Sequence, residues 1–269
     1  MVGAYMEAGG NTLQRHLDSH HKLIHAPFET QLGNKYSSNL LTSLYHFRYS
    51  WPIIPTDISA LEAYDLLYDE ETKTYLRTKD RSKFRDCGMV MDETFRKGMF
   101  CSLLKDKQIN RPNVIEAYYM ATYSAWDNHC NPNEGSFVGY YPLSTMDTDL
   151  ILSDFPNAQI VHIVRNPFSS YADTIKRPFA IPFEKYLQGW NIINHAALVY
   201  SAKYKGRFHM IRYEDLVQYP KQMMDVLCLN LGLPTSDKTY YPSFNGRDLR
   251  QSGIRPWGTI IHATPEANF

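Results

Sequence analysis

Met1-Val2-Gly3-Ala4-Tyr5-Met6-Glu7-Ala8-Gly9-Gly10-Asn11-Thr12-Leu13 opens the chain, and its reading decides the fold class. Residues 1–5 read as a short strand and residues 7–12 as a loop of small residues. Leu13 and Leu17 then mark a helix over 13–20 by their spacing. Strand, glycine loop, helix is how a phosphate-binding α/β domain begins. The glycines let backbone N–H groups turn toward a ligand, and the helix start offers unpaired N–H groups and a positive dipole end. Asn11 and Thr12 add side-chain donors. A tight strand-to-helix turn that holds no ligand fits the same residues. The lysine of GxxxxGK[ST] is absent, which argues against ATP or GTP chemistry.

Working outward, residues 57–130 are mostly helical in pattern. Ile58, Leu61, Tyr64, Leu67 and Tyr68 fall at three- and four-residue steps. After the turn-rich Asn131-Pro132-Asn133-Glu134-Gly135 come a strand at 136–141, a helix at 146–155 and a mostly apolar strand at 159–164. Such a run suits a parallel sheet covered on both faces. Helices from about 169 and over 183–204, a strand at 207–211 and a helix at 219–231 precede an irregular tail. Strands alternating with helices imply an α/β fold with right-handed crossovers. No repeat or linker divides the chain, so the expectation is one domain, 1–269, with a helical insertion at about 56–130.

Apolar residues make up 43% and charged residues 21%, the balance of a chain with a proper core. Basic and acidic residues number 28 each, so no global field favours nucleic acid or an anionic membrane, and any anion site must be local. Cys87, Cys101, Cys130 and Cys228 form no CxxC pair, so neither a metal site nor a disulfide framework is expected. No stretch reaches the roughly 20 apolar residues of a membrane span, and no basic region precedes an apolar run at the N-terminus. The expected compartment is the cytoplasm. Aromatic residues (20 Tyr, 13 Phe and 4 Trp) serve packing and also suit a pocket for an organic ligand.

Two further segments carry chemistry. In Val161-His162-Ile163-Val164-Arg165-Asn166-Pro167-Phe168-Ser169-Ser170 a strand ends at an arginine. Asn166 can then cap a helix whose first position is Pro167. A cation and two hydroxyls at a helix start make a second candidate anion site, although a capped structural helix fits as well. Met210-Ile211-Arg212-Tyr213-Glu214-Asp215-Leu216 places aromatic and charged residues at another strand's carboxyl end, where ligands of open α/β sheets bind.

In this order, the glycine loop, Arg165-Asn166-Pro167-Phe168-Ser169, Arg212 to Leu216 and Arg250-Gln251-Ser252-Gly253-Ile254-Arg255-Pro256-Trp257-Gly258 resemble the sulfotransferases that use 3'-phosphoadenosine 5'-phosphosulfate. Leu13 to His20 is similar to the family's first helix. The resemblance covers both ends and the 136–220 core, and not the helical middle. It implies a three-layer P-loop-type domain, its central parallel sheet flanked by helices. It also implies metal-independent sulfuryl transfer from that donor to a hydroxyl or amine of a small or carrier-bound acceptor, leaving adenosine 3',5'-bisphosphate. Ala8, Gly9, Gly10, Asn11 and Thr12 match the loop that holds the 5'-phosphosulfate. Arg165 matches the arginine on the 3'-phosphate, Tyr213 the tyrosine near the adenine, and Arg250 a C-terminal basic residue that returns to the 3'-phosphate. The family's 3'-phosphate serine falls by spacing on Asp173, with Ser169 near it, and both are candidates.

Two places depart from the family. Met6-Glu7 stands where its loop begins Pro-Lys or Pro-Arg. A carboxylate about 4 Å from a phosphosulfate oxygen costs on the order of 4 kcal/mol at an effective dielectric near 20. Glu7 is therefore expected to point away or to pair with Arg15 or Lys22. Tyr140 and Tyr141 stand in the strand where many relatives carry a histidine or lysine, and a phenol of pKa about 10 is a poor base. His25-Ala26-Pro27-Phe28-Glu29-Thr30 is similar to a segment from which some relatives take a glutamate base. Glu29 is accordingly the chosen base, with His20 and His21 as runners-up. A solvated glutamate and a helix-closing histidine that suits the dipole fit these residues too. Tyr45, Trp51, Tyr118, Tyr119, Tyr123 and Trp126 are acceptor-pocket candidates at core-like spacing. A nucleoside-phosphate kinase with the same loop geometry and a non-catalytic nucleotide-binding relative are the alternatives.

Overall fold

The computed structural model describes residues 1–33, 51–82, 84–85, 87–127, 135–176 and 181–249. Five parallel strands form its main sheet: β1 (Val2–Ala4), β2 (Leu23–Glu29), β3 (Ser136–Tyr140), β4 (Ile160–Val164) and β5 (Phe208–Arg212). Their order is β2-β3-β1-β4-β5. Val2, Gly3 and Ala4 lie opposite Val161, His162 and Ile163, and β4 runs in register with β5 along its whole length. Val2, Ala4, Ile160, Val161 and Ile163 are buried, as an apolar run between two helical layers must be.

The flanking helices are α1 (Gly10–Leu17), α2 (Ala60–Leu66), α3 (Glu70–Arg77), α4 (Glu93–Leu104), α5 (Arg111–Ala125), α6 (Thr148–Asp154), α7 (Pro167–Thr174), α8 (Phe183–Lys203), α9 (Tyr213–Gln218) and α10 (Pro220–Asn230). The fold class is α/β with a helix-flanked parallel sheet, as the alternation of elements requires. The chain leaves β1 toward β2 on one side and leaves β4 toward β5 on the other. β1 and β4 are thus neighbours whose outgoing connections diverge. The crevice at their carboxyl ends is the place where open α/β sheets bind ligands.

Two elements differ from the sequence reading. Leu23–Glu29 is a strand, although His25 and Pro27 interrupt any apolar run that would announce it. The tail holds a hairpin, β6 (Ser243–Phe244) with β7 (Arg247–Asp248), around Asn245 and Gly246 at φ 51 and 74. Asn-Gly with both residues left-handed is the signal of a two-residue hairpin turn. The hairpin closes on α1, where the buried Asp18 carboxylate accepts from Ser243 Oγ and from the Gly246 N–H, each at 2.9 Å.

Buried polar groups lock the layers together. In β4, His162 Nε2 donates to Asn194 Oδ1 on α8 (2.9 Å), which leaves Nδ1 to accept from Thr145 Oγ1 (2.7 Å). In the 60–125 region, the fully buried Arg96 of α4 meets Asp69 at 2.7 Å, Thr122 Oγ1 at 3.0 Å and the Tyr64 hydroxyl at 3.1 Å. Tyr118 donates to the other Asp69 oxygen at 2.7 Å, and the Asp69 N–H reaches back to the Gln31 carbonyl just beyond β2. Several acceptor-pocket candidates are held in the interior. Tyr118 belongs to this network. Trp51 is buried, its N–H groups bonded to Asp147 and Asp154, and Trp126 is buried as well. Tyr45 lies outside the described residues. Among the described residues no helix is long and apolar enough to cross a membrane.

Candidate active site

β1 ends at Ala4, and the Ala8 N–H closes a turn on the Tyr5 carbonyl at 3.0 Å. Glu7 and Gly9 both take left-handed backbone, φ 53 and 99, and Gly9 caps α1. No side chain caps α1 among the described residues, the arrangement that leaves first-turn N–H groups for an anion. Both glycines are obligatory for a packing reason. A Cβ at Gly9 would sit 2.2 Å from Cδ2 of Tyr213, and one at Gly10 would sit 2.3 Å from Cε2 of Tyr140. Thr12 is buried beside Tyr213, while Asn11 is half-buried. Gly9→Ala should accordingly cost about 2 kcal/mol or more, from left-handed strain plus the clash. Urea unfolding of the variant checks this, and an unchanged midpoint would contradict it.

The second turn follows β4. Asn166 accepts from the N–H groups of Phe168 (2.9 Å) and Ser169 (3.3 Å), with Pro167 in the first turn of α7. The Asn166 N–H donates to Glu214 Oε1 at 2.8 Å, and Trp190 Nε1 donates to the Arg165 carbonyl at 3.0 Å. The Arg165 side chain is buried, with its guanidinium 4.7 Å above the Tyr213 ring. Its Nη1 donates to the Glu7 carbonyl at 3.0 Å and to Asp173 Oδ2 at 2.8 Å. The two turns are therefore in contact, and Arg165 of one grips the backbone of the other. Ser169 is half-buried, one helical turn along α7 between Arg165 and Asp173.

Beneath the loop, the Tyr186 hydroxyl shares a hydrogen bond with Ser170 Oγ (2.5 Å) and donates to the Met6 carbonyl (3.3 Å). Burial pushes this phenol up to about 12. Ser170 and Arg165 pull it back, and the Glu7 carboxylate adds to the rise. Tyr213, expected near an adenine, has its ring packed on Gly9 and Arg165. Burial raises its phenol, and Arg165 and a hydrogen bond with Thr12 moderate the rise.

Glu29 ends β2, opposite Tyr140 of β3, so Tyr140 stands between Glu29 and the start of α1. Its Oε2 accepts from Gln31 Nε2 at 3.3 Å, and its N–H donates to Glu71 Oε2 at 2.9 Å. Arg15, expected as a partner of Glu7, is set among other acids. It is buried and stacks 4.7 Å from the Phe244 centroid. Burial lowers its pKa to about 10, against the opposing pull of Asp18, Glu71 and Glu29. The structure does not bring His20 to the loop. It lies past the far end of α1, Nε2 donating to the Pro234 carbonyl at 2.9 Å and Nδ1 accepting from the Lys22 N–H at 3.1 Å. Both ring nitrogens are thus taken by backbone partners, and burial lowers its pKa. Arg250 lies outside the described residues.

Tyr186 and Trp190 were not singled out by sequence as parts of this site. Both support the two turns from within α8, where their spacing reads simply as core.

A family model described as "Sulfotransferase family" matches residues 7–237. The chain belongs to the sulfotransferase family. Two solved sulfotransferases share the fold. One is the sulfotransferase domain from the curacin biosynthetic pathway, 18% identical, with 91% of this chain and 78% of that one covered at a TM-score of 0.55. The other is the sulfotransferase domain of the Synechococcus PCC 7002 olefin synthase, 16% identical, with 99% and 84% covered at 0.58. At such identities the likeness is one of fold. No curated protein matches the chain in sequence. The matched span begins at Glu7, in the Met6-Glu7 opening of the loop.

Proposed function

We propose that the chain catalyses metal-independent, in-line sulfuryl transfer from an adenosine phosphosulfate to a hydroxyl or amine on a small or carrier-bound acceptor. The resemblance implies 3'-phosphoadenosine 5'-phosphosulfate as that donor. One observation carries the reading: the glycine loop and the Arg165 turn meet at the diverging ends of β1 and β4, joined by the bond from Arg165 to the Glu7 carbonyl. A single nucleotide can then span both turns. First-turn N–H groups of α1 and its positive end face charge developing on the departing phosphate, which is electrostatic preorganisation rather than covalent catalysis. The acceptor's oxygen or nitrogen forms a bond to sulfur as the sulfur–oxygen bond to the phosphate breaks. Glu29, beyond Tyr140 on the same rim, takes the acceptor's proton. Helices α2 to α5 supply the acceptor side.

Glu29→Gln should reduce turnover at least about a hundredfold. Nucleotide binding should stay intact, read as an equal rise in melting temperature with adenosine 5'-phosphate or its 3'-phosphorylated form. Unchanged turnover would remove Glu29 from the role. Glu7 at the loop entrance favours a second reading, a non-catalytic nucleotide-binding relative. Magnesium-free nucleotide binding without turnover on any acceptor in a labelled-donor screen would select that reading. Stabilisation by ATP with magnesium alone would point to a kinase instead.

A further inference from the structure

We propose that Asp173 sets the nucleotide selectivity of this site. It disfavours a phosphate on the adenosine 3'-oxygen and accepts a 3'-hydroxyl, so that the donor used is adenosine 5'-phosphosulfate. This inference rests on the adenosine phosphosulfate reading above and refines it.

The two turns are not equivalent anion sites. The start of α1 carries no side-chain cap among the described residues. At the second turn, by contrast, protein acceptors already take the N–H groups a phosphate would use. Asn166 N–H donates to Glu214, and those of Phe168 and Ser169 donate to Asn166 Oδ1. The Arg165 cation is engaged too, its Nη1 divided between Asp173 Oδ2 and the Glu7 carbonyl. The other Asp173 oxygen takes Lys176 Nζ at 2.7 Å, so the carboxylate is held from both sides. A phosphate arriving at Arg165 would stand beside the Asp173 carboxylate, two like charges in one partly desolvated corner. A neutral ribose hydroxyl has no such conflict and can donate to Asp173. The division is the one by which dinucleotide sites use an acidic residue for a ribose hydroxyl and an arginine for a phosphate in its place. Transfer then proceeds with the same bonds made and broken, and the product is adenosine 5'-phosphate.

Calorimetric titration of the full chain with adenosine 5'-phosphate and with adenosine 3',5'-bisphosphate tests this, using wild type, Asp173→Ser and Asp173→Asn. Asp173 is partly exposed, so both variants should fold, and their melting curves verify it. The expected result is that wild type binds the bisphosphate no more tightly than the monophosphate. Each variant should shift the ratio toward the bisphosphate by about tenfold or more. A wild type preferring the bisphosphate tenfold, or a ratio that neither variant moves, would overturn the inference and leave the donor reading standing. If neither nucleotide binds any of the three proteins, the donor reading itself falls and this inference falls with it.

Discussion

Arg96→Met should destabilise the protein by about 3–5 kcal/mol, because it strands the Asp69 carboxylate in a fully buried pocket. Burial alone would lower the Arg96 pKa. The facing Asp69, with the Tyr118 and Tyr64 hydroxyls, outweighs this and holds it above its ordinary value. The guanidinium also lies 5.0 Å from the Tyr118 ring centroid and 5.4 Å from that of Tyr64, so the site is shaped around a cation. For a chain of this size the loss corresponds to a fall in melting temperature of roughly 10 °C. Asp69→Asn in the same chain should restore part of it, since the cost lies in the unpaired charge rather than in the lost pair. Melting curves of wild type, the single variant and the double variant decide the matter. A single variant as stable as wild type would show that solvent reaches Asp69.

Acidification should unfold the protein well before its carboxylates are protonated. Burial lowers His16, His25 and His162 to about 4. At His16 a hydrogen bond to the Thr239 carbonyl (2.8 Å) opposes the drop. At His25 Asp18 opposes it and Arg15 adds to it, and at His162 the bond to Asn194 opposes it. The unfolded chain binds these protons near pH 6.5 and the folded chain does not. Their contribution is therefore complete above about 6.5 and is lost as pH falls toward 4. Each histidine accounts for about 3 kcal/mol across that window, and three together rival the net stability of a typical domain. Asp147, whose pKa burial raises despite hydrogen bonds from Tyr141 and the Trp51 N–H, offsets a small part. Urea midpoints should drop steeply between pH 7 and pH 5. A midpoint at pH 5 equal to that at pH 7 would show that these rings stay neutral in the unfolded state too, or are protonated when folded.

Legibility tracked how local the cause was. β4 was readable because four of its five residues, Ile160, Val161, Ile163 and Val164, are β-branched and apolar, and Asn166-Pro167 announced the start of α7 by capping chemistry alone. β2 was not readable, because its place is set by pairing with β3 more than a hundred residues away. Arg15 illustrates the same limit. Its neighbours Asp18, Glu71 and Glu29 come from α1, α3 and β2, and nothing in the spacing shows that they converge. The serine spacing that fell on Asp173 was visible, whereas its grip on Arg165 was not, since a charge at a given position does not reveal where its side chain is held.

The sequence by itself determined the class of fold, the glycine loop ahead of α1 and the capped arginine turn after β4. These follow from backbone sterics and helix-end hydrogen bonding within a dozen residues. Only the tertiary structure decided that the two turns touch, that His20 bonds to the backbone at the far end of α1, and that Glu214 and Asn166 take the N–H groups of the second turn. Those outcomes depend on which strands become neighbours, and strand order is settled by packing across the whole chain.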